Sequence, residues 1–528
     1  MSTGQRTVPA ESVSQSARGD AMPIRIGSAA EFARCRDFLR AAGFDERAVT
    51  STLKISDISQ IPYVDTAAID SDSVSPVLLA LIDFFVLGNV VTADGLLTRC
   101  GEAAFTAFAG LDLIRDARRF AALAALDLLG GSVICPISLY PVDGLLIASD
   151  RRIYVGGDAV TVPADVVFPA HDSGTSKMLR LLPTAAGDAL DLCGGSGVGA
   201  LHLARNGSRA ATADITARSA HFAAFNARLN GIEIEILRGD LYAPVASREF
   251  DLICAHPPWV PSTGDAMVFR DGGDTGEAIV ERVFAGIGKH LRQGGTGVVV
   301  SLGRDGRDAR YEQRVRRWLG HTGRDCDVIL GVDHMLSIDD TVESIRRLHL
   351  NNDAEKAERM AARFREHGTE QFVYGAVLVR RTAAAVAEPP LRLRMSSAAT
   401  ATDFERVFAW RQHRRRPKFV DWLTAARPRL SPQLEANVRS VVRNGVMVAE
   451  SAILTAKRPL AAAVQPDVWI ARLLERLEGT QTVEQTFDAA RQAGQMPADF
   501  TLGAFADLVG HMIERGLLDV DTPAAGRS

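Results

Sequence analysis

The sequence predicts an α/β protein built around a doubly wound parallel sheet, with mainly helical segments on either side. Three observations support this prediction. Short apolar runs alternate with helical stretches from about Val166 to Arg381, and right-handed crossovers turn such an alternation into parallel strands. One run leads directly into a glycine cluster at residues 194–197. Two later runs end near aspartates, Asp214 and Asp240, at the edge where such sheets bind ligands.

Composition limits the classes of protein to consider. At 528 residues the chain is too long for one hydrophobic core, so several domains are expected. Hydrophobic residues make up 47% and charged residues 23%, which is ordinary globular usage. A net charge of -4 means that nucleic-acid binding would need a local basic patch. The 6 cysteines are scattered without a CxxC pair, which argues against zinc and disulfides; no metal is predicted and a cytoplasmic location is expected.

The region before the α/β segment has the outline of a winged-helix module. Short helices, including Phe32–Ala42 stopped by Gly43 and a helix at Phe120–Leu129, precede strands that end with Arg152–Val155. A similar outline of helices follows the α/β segment. The predicted divisions are a disordered leader at 1–22, a helical, winged-helix-like domain at 23–165, the α/β domain at 166–385 and a second helical, winged-helix-like domain at 390–528.

The most apolar run, Val77–Val91, is predicted to be a buried helix. It is shorter than the roughly 20 residues that a membrane span needs, and it contains Asp83 and Asn89. No membrane association is therefore expected. At the other end of the α/β segment, Asp327–Gly331 and Phe372–Arg380 are predicted strands, and one of them is expected to run reversed at the sheet edge.

The glycine cluster lies in the segment Asp191-Leu-Cys193-Gly-Gly-Ser-Gly197, between an apolar strand and a helix. A glycine-rich strand-to-helix turn lets a ligand approach the backbone closely because no Cβ atoms stand in the way. Asp214 follows about 20 residues later, where a carboxylate can accept hydrogen bonds from ribose hydroxyls. Asp240 ends the next run and is placed to accept from an adenine amino group. Either aspartate alone is equally typical of a helix cap or a turn.

A rigid corner then follows the buried run Phe250–Ala255, where the sequence reads His256-Pro257-Pro258-Trp259. Two consecutive prolines fix φ and remove two N–H donors, which leaves carbonyl oxygens free to face a ligand. A nicotinamide site does not need such a corner, whereas a methyl-transfer site does.

The glycine turn, the two acids and the x-Pro-Pro-aromatic corner, in this order, resemble the class I S-adenosylmethionine (SAM)-dependent methyltransferases. The resemblance is strongest to their "small domain" amino-methyltransferases, which include release-factor glutamine and adenine-N6 methyltransferases. It implies SAM as cofactor and a seven-stranded, Rossmann-like sheet. The segment Phe168–Lys177 also resembles the loop that closes over SAM in that subgroup. The implied cofactor-binding residues are Asp191, Cys193, Gly194, Gly195, Gly197, Asp214, Ile215, Asp240, Leu241 and Thr175.

This sequence departs from the subgroup at two positions. Cys193 replaces the first glycine of the turn, and His256 replaces the Asn or Asp of the corner. Cysteine is small enough to keep the turn. An imidazole can accept one hydrogen bond and can also take a proton near neutral pH, so His256 suits an acceptor that must lose a proton. The predicted catalytic group is His256 as acceptor or base, Pro257 through its carbonyl and Trp259 as a flat wall.

The sequence leaves three functions open. The first is methylation of a nitrogen, or a hydroxyl oxygen, on a small molecule or peptide. The second is RNA or DNA methylation, with the basic stretch Arg411–Lys418 contacting phosphates. The third is a catalytically silent SAM-binding protein, in which His256 is a bystander and the terminal modules recognise a partner. The sequence does not predict an oligomeric state.

Overall fold

In a computed structural model, the residues described are 22–65, 69, 74–119, 130–151, 163–184, 187–262, 267–350, 352–457 and 459–521. The expected leader up to residue 21, the helix Phe120–Leu129 and the strand Arg152–Val155 lie outside these residues. Within the described ranges, no helix is long and apolar enough to cross a membrane.

The helices lie in three groups, before, within and after the central sheet. Those before it are α1 (Ala29–Ala41), α2 (Glu46–Leu53), α3 (Pro76–Leu81), α4 (Ala93–Cys100) and α5 (Glu102–Gly110). Those associated with it are α6 (Ser173–Leu181), α7 (Val198–Arg205), α8 (Ala217–Asn230), α9 (Ala278–His290), α10 (Tyr311–Trp318), α11 (Ile338–His349) and α12 (Ala354–Glu366). Those after it are α13 (Ala401–Arg414), α14 (Phe419–Ala425), α15 (Val468–Leu474), α16 (Val483–Gln492) and α17 (Leu502–Glu514).

The strands follow the same division. The early strands are β1 (Val91–Thr92), β2 (Arg115–Asp116), β3 (Ser132–Ile134), β4 (Ile137–Val142) and β5 (Leu145–Asp150). The central strands are β6 (Gly187–Leu192), β7 (Ser208–Asp214), β8 (Glu235–Arg238), β9 (Phe250–Ala255), β10 (Leu291–Gly306), β11 (Cys326–Leu336) and β12 (Thr369–Arg381). The late strands are β13 (Leu391–Met395), β14 (Arg429–Leu430), β15 (Leu434–Arg443), β16 (Val446–Ala456), β17 (Leu460–Val464) and β18 (Leu518–Asp519).

The central sheet has the spatial order β15-β16-β17-β13-β11-β12-β10-β9-β6-β7-β8. Five neighbouring strands are parallel: β10 pairs with β9, β9 with β6, β6 with β7, and β7 with β8. This confirms the predicted doubly wound α/β arrangement. The carboxyl ends of β6, β7, β8 and β9 therefore meet at one edge, and the glycine turn and both predicted acids lie there.

Two features of this sheet differ from the prediction. The reversed strand is β12, which pairs antiparallel with β10 on one side and β11 on the other, so it lies inside the sheet. Its alternate residues are apolar towards both faces of the sheet, which suits an interior position. The seven predicted strands are also not the whole sheet, because four late strands extend it to 11 strands.

This extension corrects the description of the last segment as mainly helical. β13 pairs in parallel with β11, and the antiparallel strands β17, β16 and β15 follow it outwards. The hairpin between β15 and β16 turns at Asn444 and Gly445, whose φ angles are 51° and 77°. Two residues with positive φ form the turn that matches the twist of a tight hairpin. The helices expected after the α/β segment are present, with α15, α16 and α17 among them.

The region before the sheet is attached to it through β5. On α8, the Asn226 side chain accepts from Ala148 N at 2.8 Å and donates to Ala148 O at 3.0 Å. One turn later, Asn230 makes the same pair of bonds with Leu146, at 2.9 and 2.8 Å. The two asparagines thus bond to the backbone N–H and C=O groups along one edge of β5, as a neighbouring strand would.

The hydrophobic core forms layers on both faces of the sheet. Along β9, Leu252 and Cys254 face the layer shared with the early helices, whereas Ile253 and Ala255 face the layer covered by α9 and α10. The apolar run Val77–Val91 lies in the first layer, as α3 and a π-helical turn at Ile82–Leu87 whose side chains are mostly buried. A third apolar cluster holds the last helices together.

Candidate active site

The glycine turn lies directly after β6 and is built around left-handed backbone. Cys193, Gly195 and Gly197 have φ angles of 54°, 51° and 76°. Such angles are easy for glycine and uncommon for other residues. Cysteine at position 193 thus keeps the turn, as predicted, but in a conformation that favours the glycine usual there.

Asp191 supports this turn from below. Its side chain is 1% exposed, and Oδ2 accepts from Ala200 N at the start of α7, at 3.1 Å. A Cβ atom on Gly194 or Gly199 would lie 2.9 or 2.7 Å from the Asp191 carboxyl, so only glycine fits at either position. Burial raises the pKa of Asp191 to about 7.

Asp214 connects the end of β7 to the same turn. Its Oδ2 accepts from Gly195 N at 3.0 Å and its Oδ1 accepts from Thr216 N at 3.1 Å. The neighbouring Ile215 is 51% exposed. A ligand lying on the turn would therefore meet a carboxylate and an apolar surface together.

Asp240 lies at the same edge, after β8, and its carboxylate is already paired. Arg282 of α9 donates to Asp240 Oδ2 at 2.7 Å, and both side chains are about half exposed. Leu241 follows with a φ of 48° and packs against the core layer beneath α9. Arg282 is a residue that the sequence motifs did not indicate.

These groups suit a nucleoside that carries an amino-acid tail. The turn exposes backbone without Cβ atoms, two carboxylates stand where hydroxyl and amino groups need acceptors, and Ile215 supplies an apolar surface. Beneath the turn, a Cβ on Gly194 would lie only 2.0 Å from Thr212 Oγ1. This hydroxyl is buried without a hydrogen-bond partner among the described residues. The residues present therefore fit the cofactor that the sequence predicts.

The corner after β9 places His256 next to this edge. His256 is partly buried, Pro257 is buried and Trp259 is partly buried. Burial lowers the pKa of His256 below its usual value, and the Lys177 cation adds to this, whereas the Asp172 carboxylate acts against it. The imidazole is therefore neutral at pH 7 and can accept a hydrogen bond or a proton.

Helix α6 carries the predicted loop residue Thr175, which is 8% exposed and faces inwards. Asp172 caps this helix by accepting from Gly174 N at 2.8 Å. Gly174 lies against His256, since a Cβ on it would stand 2.6 Å from His256 Cε1. The cofactor role of Thr175 stays a prediction.

Two residues near His256 were not predicted from the sequence, and both lie on β11 and β12. Tyr374 on β12 lies with its ring 5.9 Å from that of Trp259. The Lys177 ammonium stands 4.3 Å from the centre of the Tyr374 ring and forms an ion pair with Asp333. No local motif marks Tyr374 or Asp333, because they approach His256 only through the order of the strands.

Comparison with known proteins confirms the resemblance predicted from these motifs. Residues 165–323 match the family described as methyltransferase small domain. The ribosomal protein uL3 glutamine methyltransferase of Bradyrhizobium diazoefficiens is 30% identical over 179 residues, which are 29% of this chain and 56% of that protein. The release factor glutamine methyltransferase of Geobacter sulfurreducens is 29% identical over 166 residues, 28% of this chain and 57% of that protein.

A third relative is named as an RNA methyltransferase. The ribosomal RNA small subunit methyltransferase C of Sodalis glossinidius is 33% identical over 141 residues, which are 26% of this chain and 36% of that protein. The chain therefore spans between 36% and 57% of the length of these relatives.

Proposed function

We propose that this chain, whose residues 165–323 match the methyltransferase small domain family, transfers a methyl group from SAM to a side-chain nitrogen of a peptide or protein. The observation that carries the proposal is the position of His256. It follows β9 at the edge where β6 and β7 present the glycine turn and Asp214, so the predicted cofactor and acceptor groups lie at the same edge of the sheet.

SAM supplies an activated methyl group on a sulfonium. When SAM is bound, the glycine turn would hold its amino-acid tail, Asp214 would accept hydrogen bonds from the ribose hydroxyls, and Ile215 would offer an apolar surface. Asp240 would bind the adenine amino group with the carboxylate oxygen that Arg282 leaves free. The protein's contribution to the rate is alignment of the nitrogen with the methyl carbon and exclusion of water.

His256 gives the acceptor nitrogen its direction and takes its proton. The nitrogen lone pair forms the new bond to the methyl carbon while the carbon–sulfur bond breaks, and the electron pair of that bond stays on sulfur. One N–H proton passes to the neutral imidazole of His256. The carbonyl of Pro257 accepts a second N–H, and Trp259 supplies a flat wall beside the acceptor.

RNA methylation is a second candidate, favoured by the match to an enzyme named for ribosomal RNA. Most arginines of the basic stretch that would contact phosphates are already paired with acidic residues of this chain. Arg411, Arg414 and Arg415 form ion pairs with acids of this chain, with Asp327 and Glu514 among them. Arg416 and Lys418 remain exposed, which is too little charge for tight binding at physiological salt.

The test is transfer of tritiated methyl groups from SAM into extracts of cells that lack the gene. We expect label that is sensitive to protease, resistant to nuclease and recovered as an N-methylated amino acid after digestion. The Asp214→Ala variant, which should bind SAM more weakly, serves as the control and should transfer less label when SAM is below saturation. Label recovered in RNA would favour the second candidate, and SAM binding without any transfer would favour a silent binding protein.

A further inference from the structure

The hairpin of β15 and β16 is exposed over most of its length. Among the described residues, β15 is the outermost strand of the central sheet and pairs with β16 on one side only. Six large apolar side chains of the hairpin are between 40% and 74% exposed: Val438, Val442, Val446, Met447, Val448 and Ile453. Contiguous exposed apolar side chains mark an interaction surface, so this hairpin is a candidate for contact with another molecule.

One face of the hairpin, called the apolar face below, carries no charged residue. Side chains alternate between the two faces of a strand. The strand register places on the apolar face Leu434, Ala436, Val438, Ser440 and Val442 of β15 and Met447, Ala449, Ala452, Leu454 and Ala456 of β16. Near its base this face continues into the third apolar cluster through Leu454 and Ala456. The opposite face carries Glu435, Arg439 and Arg443, and both arginines pair with Glu450.

The outer edge of β15 is open to another strand. β15 is 10 residues long and contains no proline, so its outward N–H and C=O groups form an unbroken row. The irregularity of the hairpin lies on β16, where Glu450 is the extra residue between the partners of Arg439 and Ser440. A long, regular edge strand with an apolar face is suited to pairing with a strand of another chain.

The charges of the hairpin argue against a nucleic acid or a membrane as its partner. Residues 434–456 include two arginines, two glutamates and no aromatic residue. The hairpin therefore lacks the surplus of basic residues that phosphate binding needs. It also lacks the combination of aromatic and basic side chains that is typical of segments lying on a membrane surface.

We propose that β15 pairs antiparallel with β15 of a second copy of this chain, around a two-fold axis at Val438. In this register Val438 lies opposite Val438 of the second copy, and Leu434 lies opposite Val442. The apolar faces of the two hairpins then join into one surface on the same side of a continuous sheet. A two-fold interface uses the same patch on both subunits, and a charge-free face is complementary to itself.

The charges on the opposite face fit the same register. Glu435 lies diagonal to both Arg439 and Arg443 of the second copy, at a spacing of about 7–8 Å that long side chains can span. The side chain of Glu435 is 55% exposed in its pair with Lys457, so it is accessible to both arginines. An axis one residue later would place the two Arg439 side chains directly opposite each other, which is destabilising. The charges therefore favour the axis at Val438.

The test is sedimentation velocity of the full chain over a dilution series. The wild type should sediment as a dimer at the upper end and approach the mass of one chain, 56.7 kDa, on dilution. Val438→Lys places two ammonium groups opposite each other and should weaken association by at least about 10-fold. The matched control is Ile453→Lys, which puts the same charge on the other face of the same hairpin, on β16, and should leave association unchanged. Both side chains are exposed, so circular dichroism should show the wild-type fold in both variants.

Disulfide cross-linking tests the register. Val438→Cys should form a covalent dimer under mild oxidation, because the two copies of this position meet at the axis. Val442→Cys is the control: Val442 is more exposed than Val438, at 71% against 53%, but it faces Leu434 of the second copy and should cross-link more slowly. The native cysteines are buried or, at Cys193, partly buried, so they should add little background.

Three outcomes would contradict this dimer. A wild type that stays at the mass of one chain throughout the series would overturn the proposal, and it would leave the edge to a strand of a different protein. A dimer that Val438→Lys leaves intact would show that another surface forms the interface. Equally fast cross-linking of Val438→Cys and Val442→Cys would overturn the axis at Val438.

Discussion

Arg411 donates hydrogen bonds from Nε to both carboxylate oxygens of Asp327, at 2.9 and 3.1 Å. The two side chains are only 5% and 2% exposed. Arg411 lies on α13 in the last part of the chain and Asp327 begins β11 in the central sheet, and Arg415 adds a further bond to Asp327 at 2.5 Å. A basic stretch that resembles a phosphate-binding patch in the sequence thus fastens the last segment to the sheet.

Removing this acid should destabilise the protein. Asp327→Asn leaves two guanidinium groups with reduced compensation in a buried place, so we expect a loss of about 3 kcal/mol in the free energy of unfolding. Urea unfolding followed by circular dichroism measures it. The matched control is Asp308→Asn, which removes the exposed pair with Arg317 and should change stability by less than about 0.5 kcal/mol. Equal effects of the two variants would contradict the structural role of Asp327.

The last segment also shows where the sequence could have said more. The hairpin of β15 and β16 differs from the predicted helical segment, although Asn444-Gly445 between alternating apolar residues is typical of a two-residue turn. The helices α15 to α17 were predicted because their apolar residues recur at helical spacing. Strand pairing carries no comparable local signal, so neither the interior place of β12 nor the extension by β13 could be predicted.

The candidate site shows the same difference between residues marked by local motifs and residues brought together by strand order. The predicted cofactor residues Asp191 and Asp214 lie near the carboxyl ends of consecutive strands, so a motif marks them. Tyr374 and Gly174 are 200 residues apart in the chain, and only the strand order and the packing of α6 bring them to His256. The motifs therefore predict the glycine turn, the two acids and the corner at His256, whereas Tyr374 beside that corner comes only from the structure.

Asp214 should carry a large part of the affinity for SAM. Asp214→Ala removes the acceptor for the ribose hydroxyls and also the bond from Gly195 N that orders the turn. We expect a loss of about 1.5–3 kcal/mol in binding free energy, as for a hydrogen bond to a charged group. Calorimetric titration of the folded variant measures it, with Asp308→Ala as an exposed-acid control. Wild-type affinity in Asp214→Ala would rule out the ribose assignment.

Asn226 bonds both to β5 and to the glycine turn, so we expect its loss to weaken SAM binding. Besides its bonds to Ala148, its Nδ2 donates to Ser196 O in the glycine turn at 2.9 Å. Asn230 makes the equivalent strand bonds to Leu146 without touching the turn. Both alanine variants should therefore lose similar stability, but only Asn226→Ala should weaken SAM binding, by about 10-fold. Equal SAM affinities in the two variants would show that the Ser196 contact has no role in binding.

Asp191 should make the ligand-free protein less stable as the pH rises. Its pKa in the folded chain is about 7 because of burial, whereas an unfolded aspartate titrates near 3.9. Between these values the folded state binds a proton that the unfolded state does not, so stability falls from about pH 4 to pH 7. Asp191→Asn should flatten this slope and raise the free energy of unfolding at pH 8 by an amount on the order of a few kcal/mol. An unchanged slope in the variant would assign the pH dependence to other groups.

His256 should set the pH dependence of methyl transfer. Burial lowers its pKa below the usual value of about 6.5. The neutral fraction, which can take the acceptor proton, therefore rises with pH in the acidic range and levels off towards neutrality. Single-turnover rates at saturating SAM should therefore rise with pH in the acidic range and stay level above neutrality. His256→Asn keeps a hydrogen-bond acceptor but removes the base. It should bind SAM normally, lose the acidic limb of the profile and transfer roughly 10²–10⁴-fold more slowly. His321→Asn changes an exposed histidine and should leave the rate and the profile as they are. A His256→Asn variant with near wild-type rates and the same acidic limb would show that His256 orients the acceptor without taking its proton, and that another group in the cleft titrates.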